Sequence, residues 1–550
     1  MASSAPESGS IREKEKQNPV VESVSVNTTT TNTPPMEDDV AGQAGDKGRT
    51  LWQNIKRYRK TAYITLGLTS AILLYGYDNV IVGTVTGMPA FQKDFGMIYE
   101  GKWILPADWL GVWTAASPLG AMGGALFGGW FQDRVGRRTS LVTSSFLSAI
   151  GVAVMFVSYI PATTGPRRVL FLVGKLIQGF SIGTNISTAQ TYLSEILPPS
   201  LRASAMSLLP AFTCLGQIIG ALVIYSNLEK PRGYVVAFGS QWPFSVLPIL
   251  VAFLIPESPK FYMRKGHYDK ARTAQARLNP PDVNPDAAAE KLKHDVEAEK
   301  AISESTSVME CFRGVNLRRT LIVLWAQALQ SVFGLALLSK ASYFLQVIGM
   351  TADKSIIFLI LGLVFSLLSN LTSIWIVAHV GRRKLIMTTL SMAAMLWLSM
   401  GIANCFQRQA VIWWSGVSMV LTATVCGLGV WPASFAVSSE SSSLKLRART
   451  QGMGWFVNSG SYFIAGYVLP YIYNPDAGNL RGRVAFTYFA SCVLGVGISW
   501  WAVPEMKGRS VEEVDKMFEQ KIGARKWEGW CEEGDASRAE EGSAEEQEKV

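Results

Sequence analysis

The sequence predicts an all-α membrane protein: twelve transmembrane helices in two six-helix bundles, with both termini cytoplasmic. Three observations predict it. The chain is 49% hydrophobic and 17% charged, and the charges collect in short blocks separated by apolar runs of roughly 20 residues, the length that crosses a bilayer core. Three polar signatures return about 245 residues later: Gly136-Arg137-Arg138 as Gly381-Arg382-Arg383, the Glu195 to Arg202 pair as Glu440 to Arg447, and Pro256-Glu257 as Pro504-Glu505. Basic residues gather at alternate span ends, and that bias sets orientation.

In chain order, residues 1–60 form an N-terminal cytoplasmic tail; 1–50 are polar, rich in Thr, Pro and Glu, and lack the apolar core of a cleavable leader, so disorder is expected. The first bundle, 61–255, holds apolar windows at about 61–83, 108–130, 138–159, 168–188, 203–224 and 238–255. Lipid forces each to be helical, because no water is available there for unpaired backbone groups. Gly123, Gly124, Gly179, Gly183 and Gly220 suit close helix contact. Residues 256–317 are a charged cytoplasmic linker with short helices, in which 287–293 favours helix and Pro280, Pro281 and Pro285 interrupt it. It is either a solvated connector or a bracket under both bundles. The second bundle, 318–503, repeats the pattern at about 318–340, 355–377, 384–403, 411–433, 451–472 and 484–503. The C-terminal tail, 504–550, turns acidic after Glu532 and is expected to be unstructured there.

Lys56, Arg57, Arg59 and Lys60 precede span one, Arg134, Arg137 and Arg138 follow span two, and Lys260, Arg264 and Lys265 follow span six, which places those ends in the cytoplasm. Arg167 and Arg168 dissent, on the outer side. The sequons at Asn27, Asn185 and Asn370 fall in the cytoplasm or inside spans and are expected to carry no glycan.

Composition excludes several function classes. The net charge of +9 is spread beside spans rather than forming one basic face, which argues against nucleic acid as a partner. Cys214, Cys311, Cys405, Cys426, Cys492 and Cys531 show no metal or disulfide spacing. No nucleophile–base pair or phosphate loop appears, and His267, His294 and His379 lie outside the spans or at an end, so neither an enzyme nor a metal or cofactor site is expected. The expected partners are a small solute, protons and the lipid bilayer.

Asp78 is the sharpest chemical signal, because a carboxylate inside an apolar helix costs several kcal/mol unless it faces a cavity or a partner. Span one runs outward and span four inward, so Asp78 and Lys175 lie at depths of roughly 8 and 10 Å, within reach of an ion pair. Protonating Asp78 would free Lys175, which is the physical content of a proton-linked switch; a static structural pair is the alternative. The equivalent positions of the second half are Val323 and Val420, so only the first bundle has the pair. Lys340, near the outer end of span seven, can snorkel to the interface; pointing inward it would favour an anionic or carbonyl-rich solute.

The repeated signatures have a mechanical reading. Glycine lets the turn between spans two and three fold tightly, and Asp133, Arg134, Arg137, Arg138, Glu195, Arg202 and Glu257 can pair to hold an inner gate shut. Arg382, Arg383, Glu440, Arg447 and Glu505 offer the same set in the second half.

Gly76-Tyr77-Asp78, the loop from Asp133 to Arg138, Tyr192-Leu193-Ser194-Glu195 with Arg202, and the run from Pro256 to Lys260 together resemble the sugar porter family of the major facilitator superfamily, over about 60–525. The run from Pro89 to Gly96, Gly216-Gln217, Gln241-Trp242-Pro243 and the run from Pro504 to Arg509 are similar to fungal α-glucoside proton symporters. The resemblance implies a major-facilitator fold, alternating access, proton symport of an α-glucoside and a plasma-membrane location. It departs where substrate is read. Pro210 stands where these porters have Gln, Gln330-Ser331 and Ala336 replace Gln-Gln and Asn, Phe435 replaces Trp or Tyr, Lys175 replaces Arg, and Tyr75 replaces an acidic residue. Gln217, Gln330, Ser331, Asn370 and Asn458 remain as substrate hydrogen-bonding candidates, with Tyr192 and Phe435 as stacking surfaces. The departures keep two alternatives open: a carrier or exporter of a non-sugar metabolite, and a non-transporting sugar sensor, against which the short C-terminal tail counts.

Overall fold

The computed structural model describes residues 51–527 apart from 199–200, 202–208, 281–282, 306, 407, 444, 508 and 510. The tails at 1–50 and beyond 527, the sequon at Asn27, Arg202 and Cys531 lie outside the described residues.

A helix occupies each of the expected windows. The first half contains α1 (Arg59–Val85), α2 (Ala107–Val135), α3 (Arg137–Val157), α4 (Thr164–Ile196), α5 (Leu209–Ser226) and α6 (Gly233–Leu254, broken at Ser240). The second contains α7 (Gly314–Leu338, broken at Gly334), α8 (Ala352–His379), α9 (Arg382–Ala403), α10 (Gln409–Ser441, broken at Gly429), α11 (Arg447–Tyr473) and α12 (Ala485–Ala502). Among the described residues, ten helices are long and apolar enough to cross a membrane. The other two are α5, which is shorter over its described residues, and α11, which is long but diluted by Asn458, Ser459, Ser461 and several tyrosines.

Backbone contact rather than side-chain bulk sets the first half. A Cβ on Gly124 of α2 would lie 2.0 Å from the Phe180 carbonyl oxygen of α4, and Cβ atoms on Gly179 and Gly183 would lie 2.3 Å from the carbonyls of Ser117 and Ala121. Gly76 of α1 and Gly216 of α5 make the same approach, 2.1 and 2.2 Å from opposing carbonyls. These are small-residue crossings, which suit lipid because dispersion and polar contacts, not water exclusion, hold helices together there. Gly123 and Gly220 differ: Gly123 has the Phe180 ring nearby at 3.7 Å, and a Cβ on Gly220 would meet the Val80 side chain at 2.9 Å. Hydroxyl and amide contacts reinforce α3 on α4: Ser140 to Thr188 at 2.9 Å and Asn185 to Ser145 at 3.0 Å. The sequon asparagines Asn185 and Asn370 are both buried.

The end of the molecule carrying Arg137 and Arg382 is termed the basic end, and the opposite one the far end. At the far end Pro89–Phe95 forms a short helix whose Phe91 and Phe95 pack edge-on against Trp113, Phe171 and Tyr234. A small hairpin follows, Met97–Tyr99 paired with Lys102–Ile104, which an all-α reading did not anticipate. Its loop is Glu100-Gly101, both at positive φ (48° and 75°), the geometry of a two-residue hairpin turn. The dissenting arginines are held by this region: Arg167 pairs with Asp94 at 3.1 Å, and Arg168 donates to the carbonyls of Phe95 and Gly96.

Between the halves run helices Pro259–Arg264, Tyr268–Leu278 and Pro285–Ser305, with Pro285 opening a helix rather than ending one. The segment touches both halves. Arg264 lies 3.7 Å from Asp133, and Thr61 donates to the Leu278 carbonyl, while Cys311 packs beside Thr450 and accepts from Thr320 through its carbonyl. Beyond α12, Val511–Glu519 packs beneath the second half, where Arg319 pairs with Asp515 and lies over the Phe518 ring at 4.5 Å.

Candidate functional site

A cavity of about 810 Å³ lies between the two halves, walled by α1, α2, α4 and α5 on one side and α7, α8, α10 and α11 on the other. It reaches from Lys340 toward the far end down to Thr191 and Val377 near the basic end. Among the described residues, several hydrogen bonds join the halves at or toward the far end. Gln346 donates to the Gly87 carbonyl at 2.8 Å, Asn474 to the Leu105 carbonyl at 2.8 Å, and the Ala107 amide to Asp476 at 2.8 Å, so direct contacts close the cavity there.

Asp78 and Lys175 both line it. The Lys175 ammonium pairs with Asp78 Oδ1, and Ser117 donates its hydroxyl to Asp78 Oδ2, so each carboxylate oxygen has a donor. Both side chains are buried, at 2% and 0% exposure. The sequence spacing anticipates the pair but not Ser117, because which face of α2 meets α1 is decided by the glycine crossing with α4.

Of the substrate candidates, Gln217, Gln330, Asn370, Phe435 and Asn458 line the cavity. Two do not. Ser331 follows Gln330 by about 100° around α7, which turns it off the cavity, where its buried hydroxyl has no partner. Tyr192 is fully buried near the basic end and donates to the Pro256 carbonyl at 2.7 Å, so it braces α4 against the linker instead of stacking on a solute. Asn370 and Asn458 each spend a donor on a helix carbonyl, Ser366 at 2.8 Å and Gln327 at 3.0 Å; Gln330 keeps a buried, unpaired NH₂.

The second half supplies an aromatic wall that sequence reasoning missed apart from Phe435. Phe435 meets Trp455 with ring centroids 5.8 Å apart, and Trp431, one helical turn before Phe435, lines the same face. That spacing of four was a legible signal. Lys340 points inward, not to the interface: its stem passes Gly83, its Nζ comes within 3.4 Å of where a Cβ on Gly466 would stand, and it lines the cavity.

The duplicated signatures form two latches at the basic end. In the first, Glu257 accepts from the amides of Arg137 (2.8 Å), Arg138 (3.1 Å) and Ser258 (3.0 Å), a carboxylate seated on the N-terminus of α3. Gly136, at φ 98°, is required twice: a Cβ would meet Glu257 Oε2 at 2.4 Å and the backbone is left-handed. Burial raises the Glu257 carboxyl above its ordinary range, and the three amides pull it back. The second latch repeats the arrangement with Glu505 on Arg382 (2.8 Å) and Arg383 (3.1 Å), and a Cβ on Gly381 would meet Glu505 at 2.2 Å. Arg137, 1% exposed, grips Glu195 through two nitrogens at 2.9 and 3.1 Å and reaches Asp133 at 3.0 Å; Arg382 holds Glu440 through one, at 3.0 Å.

Two of the expected ion pairs form, Arg137–Glu195 and its repeat Arg382–Glu440, each within its own half; the other gate arginines are used differently. Arg134 lies over the Trp130 ring at 4.7 Å, and Arg138 and Arg383 donate to the carbonyls of Phe253 and Trp500. Arg447 has no ion-pair partner among the described residues, and its Nε is buried unpaired. The physical reason is that helix N-termini already offer amides to Glu257 and Glu505, so guanidinium groups are free to cap helix C-terminal carbonyls instead.

Residues 64–518 match the family model described as "Sugar (and other) transporter". The MFS transporter fmqE of Aspergillus fumigatus is 29% identical, covering 87% of this chain and 91% of that protein. The maltose permease MAL61 of Saccharomyces cerevisiae is 26% identical over 90% and 81%. Among solved structures, the partially occluded inward-open xylose transporter XylE from E. coli superposes with a TM-score of 0.67 at 19% identity, covering 82% of this chain and 99% of that one. The proton:xylose symporter XylE bound to a bromodeoxyglucose gives 0.65 at 21%, and both likenesses support the major-facilitator fold. A match across residues 64–518, on a two-half helical fold with a cavity at the seam, makes the chain a multi-pass membrane protein belonging to the sugar (and other) transporter family.

Proposed function

We propose that the protein is a proton-coupled carrier of a small polar solute of the α-glucoside class, working by alternating access in the plasma membrane, with its basic end and both termini in the cytoplasm. The observation that carries it is the Asp78–Lys175 pair set in the wall of the cavity between the halves. A carboxylate there can be protonated from the cavity, and losing its charge releases Lys175, so solute and proton act on the same surface. The names of the curated relatives, maltose and α-glucoside permeases, support the solute class, and the basic span ends support the orientation.

Apolar lining, with Leu335, Leu338, Leu359, Leu363 and Met419 around few free polar groups, favours a second reading, a carrier of a non-sugar metabolite. Uptake separates the two. Cells expressing the chain and lacking other α-glucoside uptake are expected to accumulate labelled α-glucosides, alkyl and aryl glucosides included, and to alkalinise the medium as they do so. Failure to accumulate any of them, with efflux of another compound, would establish the second reading.

A further inference from the structure

We infer that Lys340 is an anchor for a carboxylate on the transported solute, so that the substrate is an acidic glycoside with an apolar or aromatic aglycone. The inference rests on the carrier reading above and narrows its substrate. Lys340 begins Ala341–Ile348 just past the broken end of α7, and its side chain enters the cavity through a passage that two glycines leave open. A Cβ on Gly83 would meet the Lys340 Cγ at 2.9 Å, and one on Gly466 would approach its Nζ to 3.4 Å. Among the described residues the ammonium has no hydrogen-bond or ion-pair partner. The acidic residue lining the cavity, Asp78, already has both oxygens engaged, by Lys175 and Ser117. Lys340 also feels the like charge of Lys175.

A cation withdrawn from water and left uncompensated is costly, and an incoming anion removes that cost as it binds. The opposite wall specifies the rest of the molecule. Trp431, Phe435 and Trp455 offer ring surface, while Asn370 and Asn458 have already committed donors to helix carbonyls. A neutral disaccharide would leave hydroxyls unmatched against that wall; an aryl or alkyl group would not.

The test measures binding of three probes to the purified full chain by quenching of tryptophan fluorescence: 4-carboxyphenyl α-glucoside, its neutral carboxamide analogue, and 4-methoxybenzoate, which has the acid but no sugar. The acid glucoside is expected to bind about tenfold tighter than the amide, a step of about 1.4 kcal/mol. Lys340→Met is expected to abolish that preference with little change for the amide, and Lys340→Arg to retain it, which separates loss of charge from loss of fold. If 4-methoxybenzoate alone binds in a Lys340-dependent way, the anchor stands and the glucoside class falls. Equal behaviour of acid and amide in wild type, whether both bind or neither does, together with no Lys340-dependent binding of the benzoate, overturns the inference.

Discussion

Asp78→Asn is expected to abolish solute-driven alkalinisation while leaving exchange of solute across the membrane measurable. Asparagine keeps an oxygen for the Ser117 hydroxyl, so the local packing of α1 on α2 survives, but it cannot take and release a proton. Accumulation against a gradient depends on that proton; exchange of solute for solute does not. The variant also leaves the Lys175 ammonium buried without a counter-charge, and removing one member of a buried pair costs about 3–5 kcal/mol. Asp78→Asn combined with Lys175→Met should therefore unfold at a higher temperature than Asp78→Asn alone. Equal proton movement in wild type and Asp78→Asn would remove Asp78 from the coupling mechanism, and an unstable double variant would mean the pair is not the dominant local interaction.

Glu257→Ala and Glu505→Ala should each lower the thermal stability of the purified protein strongly, and the double variant should fail to assemble. Each carboxylate satisfies three backbone amides at the junction of two spans: Arg137, Arg138 and Ser258 in one half, Arg382, Arg383 and Lys507 in the other. A buried donor left without an acceptor costs about 1–3 kcal/mol, so losing most of a triplet exceeds the effect of an ordinary surface change. Glutamine, which retains one acceptor oxygen and loses the charge at the helix N-terminus, should fall between alanine and wild type. Melting curves for the alanine variants that overlay wild type would show that water replaces the carboxylate at no cost.

Much of this site was legible before any coordinates. Span positions follow from bilayer thickness, and the duplicated Gly-Arg-Arg and Pro-Glu signatures point to two equivalent junctions, which Glu257 and Glu505 occupy in the same way. Counting residues from the span ends brings Asp78 and Lys175 to one depth, and they meet. Depth along a helix is a one-dimensional quantity that sequence carries. Rotation about the helix axis is not, because it is set by what the neighbouring helix offers. Ser331 and Tyr192 face away from the cavity for that reason, Ser117 and Trp455 escape a sequence reading for the same one, and it also decides between the two courses that the sequence leaves open for Lys340. The gate arginines teach a related lesson. Charge complementarity alone cannot say which of Arg134, Arg137 and Arg138 takes Glu195; the Glu195 carboxylate on α4, offered side-on for a two-pronged contact with Arg137, decides it.

The pairing of Arg137 and Arg382 within their own halves has a consequence for how the protein moves. Each latch stiffens one half as a body, so the seam between the halves is where motion concentrates, and the cavity with its charged pair lies on that seam. Spin labels at Thr139→Cys on α3 and Thr388→Cys on α9, in a background without other cysteines, report the separation of the halves at the basic end. A second pair, at Ile98→Cys and Asn479→Cys, reports the far end. Rocking about the cavity predicts that saturating solute at acidic pH shortens the first distance and lengthens the second, and that Asp78→Asn loses the dependence on pH. Distances that stay fixed at both ends, or that change in the same direction, would contradict it.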